Sequence, residues 1–162
     1  MQLIFVHFLS NMNTYSTSTE IRNDAGFMYN TNVLDADIDT QRTRAYALIN
    51  SYISARYSIP SLSDSNFTGS NGALLLQSIE ILLGGGYLLI KEYGPEGRDT
   101  DKDGYRRTES AMEMLKEIQE GKLLLFGNDG AILPSALTAN TSGTIRGYIP
   151  DTDPYFSTTD KF

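Results

Sequence analysis

The sequence predicts a mainly α fold: a small helical bundle of three to four helices with a short β-hairpin and extended N- and C-terminal arms. Several segments carry helix-start signals or apolar residues at helical spacing, and residues 71–93 are apolar nearly all round, as a central helix is. From residue 134 the composition changes to Thr, Ser, Asn, Asp, Gly and Pro, which cannot build a core. We therefore expect an N-terminal arm over residues 1–14, a helical domain with the hairpin over residues 15–133, and a C-terminal arm over residues 134–162.

Composition and charge exclude several kinds of site. The 162 residues include no cysteine and one histidine, His7, which excludes disulfides, thiolate metal sites and multi-histidine metal sites. The formal net charge is −7, whereas nucleic-acid-binding proteins usually carry a basic face. We expect a soluble single domain without specific nucleic-acid binding, large enough to bury a core.

The first ten residues, MQLIFVHFLS, are apolar, but they lack the basic start and the Ala-x-Ala cleavage site of a signal peptide. Two interpretations remain. In one, translation begins at Met12. In the other, which underlies the boundaries above, the segment is an extended arm that docks on a neighbouring molecule.

A capping box predicts the first helix. Thr17 and Glu20 have the spacing at which the hydroxyl and the carboxylate each accept a hydrogen bond from the other residue's backbone amide. We expect a helix of two or three turns that ends near Gly26. Residues 30–34 are interpreted as polar turn material.

The second helix is expected to start between Leu34 and Asp37, with acidic residues in its first turn, where the helix dipole favours them. It should end at Tyr57, because Pro60 disfavours helical geometry in the residue before it. Residues 61–72 are rich in Ser, Asn and Gly and are predicted to form a loop. The predicted apolar stripe of this helix comprises Ile38, Ala45, Leu48, Ile49, Tyr52 and Ile53.

The third helix, residues 71–93, belongs either to the centre of a core or to a membrane. Residues 73–90 approach the shortest length that spans a bilayer. Gln77, Glu80 and the glycines at 84–86 favour the core. Each glycine costs roughly 1 kcal/mol relative to alanine, which several buried leucines at ~1.5–3 kcal/mol each more than offset. The glycines should mark a bend or a close helix crossing.

The last two elements are a helix and a hairpin. The helix is expected from about Asp103 to Glu120, with glycine 121 ending it. Residues 122–133 contain two apolar runs around Gly-Asn-Asp-Gly, which predicts the hairpin. The predicted buried stripe of the helix comprises Tyr105, Met112, Leu115, Ile118 and Gln119.

A weak candidate metal site lies before the fourth helix. Asp99, Asp101 and Asp103 are spaced like the first carboxylates of a calcium loop over residues 99–110, and a glycine follows them. The twelfth position, however, holds Ser110, and Glu109 comes one place early, a rotation of about 100° around a helix. The favoured interpretation is an acidic loop in which Asp101 or Asp103 caps the helix. No other metal and no cofactor is predicted.

Six residues are candidate protein-interface residues. At the end of the second helix, Arg56 complements the helix dipole and Tyr57 packs in the core with a solvated hydroxyl, or both meet a neighbouring subunit. The tail either is a solvated, disordered terminus or docks on a partner through spaced apolar residues, and we favour docking. Ten tyrosines in a chain without tryptophan also suit interfaces. The tail candidates are Tyr148, Ile149, Tyr155 and Phe156.

No catalytic constellation is visible, and we expect that the protein is not an enzyme. The glycines at 84–86 lack the Lys-Ser/Thr of a phosphate loop and lie inside an apolar helix. The serines and threonines have no nucleophile elbow and no accompanying base. His7 lies in an apolar segment, where a lone histidine is more often packed than catalytic.

Several segments together resemble the head–tail connector, or adaptor, proteins of the tailed-phage neck, the Mu-like group. The opening YSTSTEIR at 15–22 is similar to the family's first helix start, and the long helix of residues 37–61 closes on Ala-Arg-Tyr-x-x-Pro in the same way. Residues 74–93 are similar to its apolar third helix, and residues 105–123 to its last helix, which ends in Gly-Lys-Leu. The N-terminal eleven residues, the acidic loop and the long tail depart from the family pattern.

The resemblance implies a structural adaptor of the virion neck. Such proteins assemble as a ring, typically a dodecamer, between the portal protein and a downstream neck or tail protein, and are found in the host cytoplasm during assembly. No membrane and no specific nucleic acid is expected as a partner. The alternative is another helical protein-interaction module, with a weak calcium-binding loop at residues 99–110.

Overall fold

A computed structural model describes residues 14–94 and 103–135 of the chain. These ranges contain four helices: α1 (Ser18–Asp24), α2 (Asp35–Ile53), α3 (Asn71–Tyr93) and α4 (Gly104–Glu120). The predicted mainly helical fold class is therefore confirmed. The expected arm up to residue 13 and the expected tail from residue 136 lie outside the described residues.

The three long helices run antiparallel around α3. Lys91, at the end of α3, lies 2.6 Å through Nζ from Oδ1 of Asp37 at the start of α2. The guanidinium of Arg56, just after α2, lies against Gly121 at the end of α4. The start of α2 thus lies beside the end of α3, and the ends of α2 and α4 lie beside each other. Helices α2 and α4 therefore run in the same direction, antiparallel to α3. The capping box of α1 is present, with Thr17 N donating to Oε2 of Glu20 over 2.7 Å.

Burial follows the predicted stripes and forms two apolar clusters. The larger cluster joins α2, α3, α4 and the segments after α2 and α4, and the smaller one joins α1, the α1–α2 loop and the ends of α2 and α3. In α2 the buried residues are Ile38, Ala45, Ile49 and Ile53, with Leu48 and Tyr52 partly buried. In α4 they are Gly104, Ala111, Leu115 and Ile118, whereas Gln119 is exposed and was wrongly assigned to the stripe.

The glycines of α3 mark close helix crossings, as predicted, and the helix is continuous through them. A Cβ added to Gly84 would lie 2.7 Å from Cδ1 of Ile21 in α1. A Cβ added to Gly86 would lie 2.9 Å from the carbonyl oxygen of Gly104 in α4. The contact at Gly86 is with backbone, so α4 can pack this closely only against glycine, whereas the contact at Gly84 is with the end of a side chain.

Helix α3 is long and apolar enough to cross a membrane by length and composition. Core helices pass the same test. Half of its most apolar window is buried within the chain, where α3 contacts α1, α2 and α4. These contacts are those of a central helix.

Helix α2 ends earlier than predicted, at Ile53 rather than at Tyr57. Residues 54–56 form a turn in which the amides of Arg56 and Tyr57 both donate to the carbonyl of Ile53. Beyond it, Tyr57 forms an antiparallel bridge with Ser135, and Ser58 N donates to Pro134 O over 3.0 Å. Tyr57 therefore lies in this pairing with Ser135 rather than at the end of the helix.

The predicted β-hairpin is not shown as a pair of strands. Its turn is present, because Gly127 N donates to Ala131 O over 2.9 Å and Gly130 has a φ of 73°. The pairing, however, is a single bridge between Phe126 and Ile132. Other elements take up neighbouring backbone groups, since the carbonyl of Phe126 accepts from Gly72 N of α3 over 3.0 Å.

Candidate functional site

The structure places the two predicted interface residues near the end of α2 differently. Tyr57 is 2% exposed, and its hydroxyl lies 3.4 Å from the amide of Leu125, which donates to it, so the hydroxyl is not solvated. Arg56 is exposed, and its guanidinium carbon lies 6.0 Å from the centre of the Tyr57 ring. Tyr57 therefore packs in the core, as one of the two interpretations expects, and a direct contact with a neighbouring subunit stays a prediction for Arg56.

The remaining predicted site residues lie mostly outside the described ranges. The tail candidates Tyr148, Ile149, Tyr155 and Phe156 are among them, as are Asp99 and Asp101 of the candidate calcium loop. Asp103 is described and caps α4, with its Oδ1 accepting from Arg106 N over 3.0 Å. No group of three or more potential metal ligands occurs in the parts of the chain that the structure describes.

Large apolar side chains that stay exposed are found at two opposite ends of the bundle. At one end, the loop between α1 and α2 carries the first set, which we call the loop surface: Met28, Tyr29 and Leu34. At the other end, the segments after α2 and α4 and the first turn of α3 carry the second set, which we call the terminal surface: Ile59, Leu74, Phe126 and Ile132. Because α2 and α4 each run antiparallel to α3, the two surfaces are separated by the length of the helices.

The loop surface is held by Arg22 of α1. Its Nη1 donates to Asn30 O over 3.0 Å, and its Nη2 donates to Val33 O over 2.7 Å and to Oδ1 of Asp35 over 2.8 Å. The planar guanidinium can satisfy several acceptors at once, which an ammonium group cannot do in this geometry. The loop is therefore tied to α1 at several points along its length.

The loop has buried residues near both of its ends and exposed residues between them. Phe27 and Val33 are buried, and the Phe27 ring stacks on Tyr93 with centroids 5.8 Å apart. Tyr29 is 90% exposed. A tyrosine held outward on a well-anchored loop loses little conformational freedom when it is buried by a partner, which is why tyrosine is enriched at interfaces.

The terminal surface is where both ends of the described chain lie. Thr14 stands beside Leu74 in the wall of a surface groove, and Ser135 pairs with Tyr57 after α2. These described residues, which we call the roots of the undescribed N- and C-terminal segments, therefore both lie at this end. Any partner that contacts the terminal surface also contacts these roots.

A buried polar cluster fixes the root of the N-terminal segment. The amide of Ser16 donates to Oε2 of Glu80 in α3, and its carbonyl accepts from Nη1 of Arg42 in α2 over 3.3 Å. The hydroxyl of Tyr15 donates to Oδ1 of Asn50 over 2.7 Å. These contacts hold the segment across α2 and α3 independently of α1.

Glu80 is fully buried, and this burial raises its pKa to about 7. Hydrogen bonding from Ser16 and the positive charge of Arg42 act in the opposite direction but do not cancel the desolvation. Oε1 of Glu80, Oγ of Ser16 and Nε of Arg42 have no hydrogen-bond partner among the described residues. A carboxyl group with this pKa changes its charge near neutral pH, and its hydrogen bond from Ser16 ties the root of the N-terminal segment to α3.

Comparison with known proteins gives no relative: no family model, no curated protein and no solved structure matches this chain.

Sequence reasoning missed the loop surface and the buried cluster. Residues 30–34 were interpreted as polar turn material, although Val33 is buried and Leu34 is exposed beside Met28 and Tyr29. An apolar cluster inside a loop, GFMY followed by NVL, is the signal that could have indicated a surface. Nothing local pairs Ser16 with Glu80, which are 64 residues apart.

Proposed function

We propose that the protein is a structural adaptor of a tailed-phage virion. It forms a homo-oligomeric ring, a dodecamer in the family that the sequence resembles, between the portal protein and the next neck or tail protein. Its place is the virion neck, and the host cytoplasm during assembly. It acts through binding alone. It is not an enzyme, a membrane protein or a specific nucleic-acid-binding protein.

The observation that carries the proposal is the placement of exposed apolar side chains at two opposite ends of the bundle. An adaptor must meet different molecules at its two faces. The loop surface, with Tyr29 on an anchored loop, and the terminal surface, with the roots of both undescribed segments, suit two such partners. Contacts between unlike surfaces of identical chains close into rings when the rotation allows it.

The portal and a downstream neck or tail protein are proposed as partners because the segments that resemble the neck family occur in that family's order. A helical interaction module outside the virion would present similar apolar ends, so the portal is the partner to test. Asp103 caps α4, an arrangement that the acidic-loop interpretation expects, and this favours the adaptor over a calcium-modulated module.

The test is co-expression with the portal protein of the same genome, followed by negative-stain imaging and mass measurement of the purified complex. We expect a ring stacked on the portal. Tyr29→Asp should weaken this stacking or prevent ring formation, because it places a charge where an apolar contact is needed. Ser110→Asp, which adds the same charge at an exposed position on the side of α4, is the matched control.

A wild-type chain that stays monomeric and ignores the portal would contradict the proposal and favour the alternative module. Equal stacking of the Tyr29 and Ser110 variants would leave the adaptor in place but remove the loop surface from its interfaces. Helical circular dichroism of each variant shows whether the fold is retained.

A further inference from the structure

We propose that the groove beside Tyr15 binds the apolar N-terminal segment, residues 3–9, of a neighbouring copy of the chain. This inference rests on the ring assembly proposed above and identifies one contact that would hold it. It names both the surface and its occupant.

The groove lies between the N-terminal root, the loop after α2 and the first turns of α3. The ring of Tyr15 meets that of Phe67 edge-on, with centroids 6.1 Å apart, and Leu62 and Ala73 complete the apolar wall. Leu74 borders the groove and is 53% exposed, although it lies on the central helix. A leucine left half open in this position is a place where a further apolar group can pack.

The occupant follows from what the chain holds just outside the described residues. The groove wall includes Thr14, so the undescribed N-terminal segment starts at the groove itself. Residues 3–9, LIFVHFL, are apolar apart from His7, and the polar spacer SNMN separates them from Thr14. A segment of this composition is costly to leave in water, and the spacer gives it reach.

The length of the segment allows it to reach a neighbouring copy. An extended chain advances about 3.3–3.6 Å per residue, so residues 3–9 can lie at most roughly 17 to 40 Å from Thr14. The stretch of α3 in the groove, from Ala73 to Gln77, is about one helical turn, or ~5 Å, and Thr14 itself lies in the groove wall. To fill its own groove the segment would have to turn back within the spacer, whereas an extended segment can reach the equivalent groove of the next subunit.

Anchoring of the root lowers the entropic cost of this contact. Ser16 is held by Glu80 and Arg42, and Tyr15 is held by Asn50, so the direction in which the segment leaves is set before it binds. Pre-organisation of this kind leaves more of the apolar burial as net affinity. The arm and the groove are different surfaces of one chain, which is the arrangement that produces a closed ring.

Cysteine crosslinking tests the contact directly, because the chain contains no cysteine. The full chain is prepared as Phe5→Cys and, separately, as Leu74→Cys, and the two are mixed under mild oxidation. One of the two variants carries an affinity tag, so that the mixed disulfide differs in mass from the symmetric disulfides of either variant. We expect a disulfide-linked species with the mass of one tagged and one untagged chain. Lys116→Cys, on the exposed side of α4, replaces Leu74→Cys as the control and should give no such mixed species.

The outcomes separate this inference from the proposed ring. Oligomers that form without a Phe5–Leu74 crosslink would overturn the groove assignment and leave the ring standing. A chain that carries both cysteines and links only within itself would show that the segment fills its own groove. A chain that neither assembles nor crosslinks would overturn both.

A second variant measures the contribution of the groove to assembly. Leu74→Asp should weaken association of the full chain by about tenfold or more, since loss of one buried leucine contact is worth at least one factor of ten. Light scattering over a concentration series gives the shift, and circular dichroism checks that the helices persist. Unchanged association with retained helices would count against the groove.

Discussion

At the scale of single residues, Glu80 is a titratable group enclosed by the helices. It is fully buried on the central helix, and its carboxylate accepts a hydrogen bond from the amide of Ser16, which ties the root of the N-terminal segment to α3. Burying a carboxyl group in this way favours its neutral form, which is why its pKa rises to about 7. The anchor of the N-terminal segment is therefore linked to pH.

The sign of this linkage gives the first prediction. In the unfolded chain Glu80 has a pKa near 4.5, so between about pH 4.5 and 7 folding takes up a proton. The free energy of unfolding should then fall as pH rises through this range, by about 3 kcal/mol at most for this group. Glu80→Gln keeps an oxygen for the Ser16 amide and removes the ionisation, so its stability should lack this component.

Urea unfolding at several pH values measures the effect as the difference between wild type and variant. Glu109→Gln, an exposed acid on α4, serves as the control and should reproduce the wild-type slope. Parallel curves for wild type and Glu80→Gln would show that the pKa of Glu80 is not raised in the folded protein.

At the scale of elements, α3 packs closely against α1 and α4 at the positions where it carries glycine. Gly84 admits Ile21 of α1, and Gly86 admits the backbone of α4 at Gly104. Gly85, between them, faces the side chains of Asp24 and Arg107, which can move. Neighbouring glycines of one helix thus have different roles, and only the contact at Gly86 is with a backbone that cannot yield.

The second prediction compares Gly86→Ala with Gly85→Ala. A Cβ at position 86 would lie 2.9 Å from Gly104 O, so α3 and α4 must separate, and we expect a loss of about 1–3 kcal/mol in the free energy of unfolding. At position 85 the nearest atom is Oδ2 of Asp24 at 3.2 Å, at the end of a side chain. There the gain in helix propensity, up to ~1 kcal/mol, should make alanine neutral or stabilising.

Denaturant unfolding of the two variants provides the measurement, and each serves as the control for the other. Equal stabilities for the two variants would mean that the helices adjust to a methyl group at either position. The close crossing would then have no energetic role.

At the scale of the whole molecule, the helical bundle separates two apolar ends, and Thr14 and Ser135, at the limits of the described residues, both lie at one of them. The C-terminal arm was expected to begin at Pro134. Pro134 and Ser135 pair with Ser58 and Tyr57, and they form part of the body rather than of the tail. The tail that can be removed without loss of these contacts begins at residue 136.

The third prediction concerns this boundary. Deleting residues 136–162 should leave the helical circular dichroism and the melting temperature nearly unchanged and should weaken ring assembly. Deleting residues 134–162 also removes the hydrogen bond to Ser58 N and should lower stability by about 1 kcal/mol more. Thermal melts and light scattering of both deletions distinguish the two effects. Unfolding of the 136–162 deletion would show that the tail belongs to the core.

The sequence by itself determined the features that depend on a few neighbouring residues. The capping box at Thr17 and the limits of α3 are such features, because their hydrogen bonds close within one helical turn. The cap of α4 was limited to Asp101 or Asp103, and the structure has Asp103 there. The apolar stripes of α2 and α4 were also predictable, since helical periodicity places them on one face. The glycines of α3 predicted either a bend or a close crossing, without indicating the partners of a crossing.

Only the tertiary structure decided the features that depend on distant residues. Tyr57 pairs with Ser135, 78 residues further along the chain, instead of ending α2, and no local signal indicates this pairing. Arg22 turns a loop that was interpreted as polar into an anchored surface, because its acceptors lie along the loop and at the start of α2. The contact between Ser16 and Glu80 also depends on the tertiary structure, since the sequence spacing of two residues carries no information about contacts that form when helices pack.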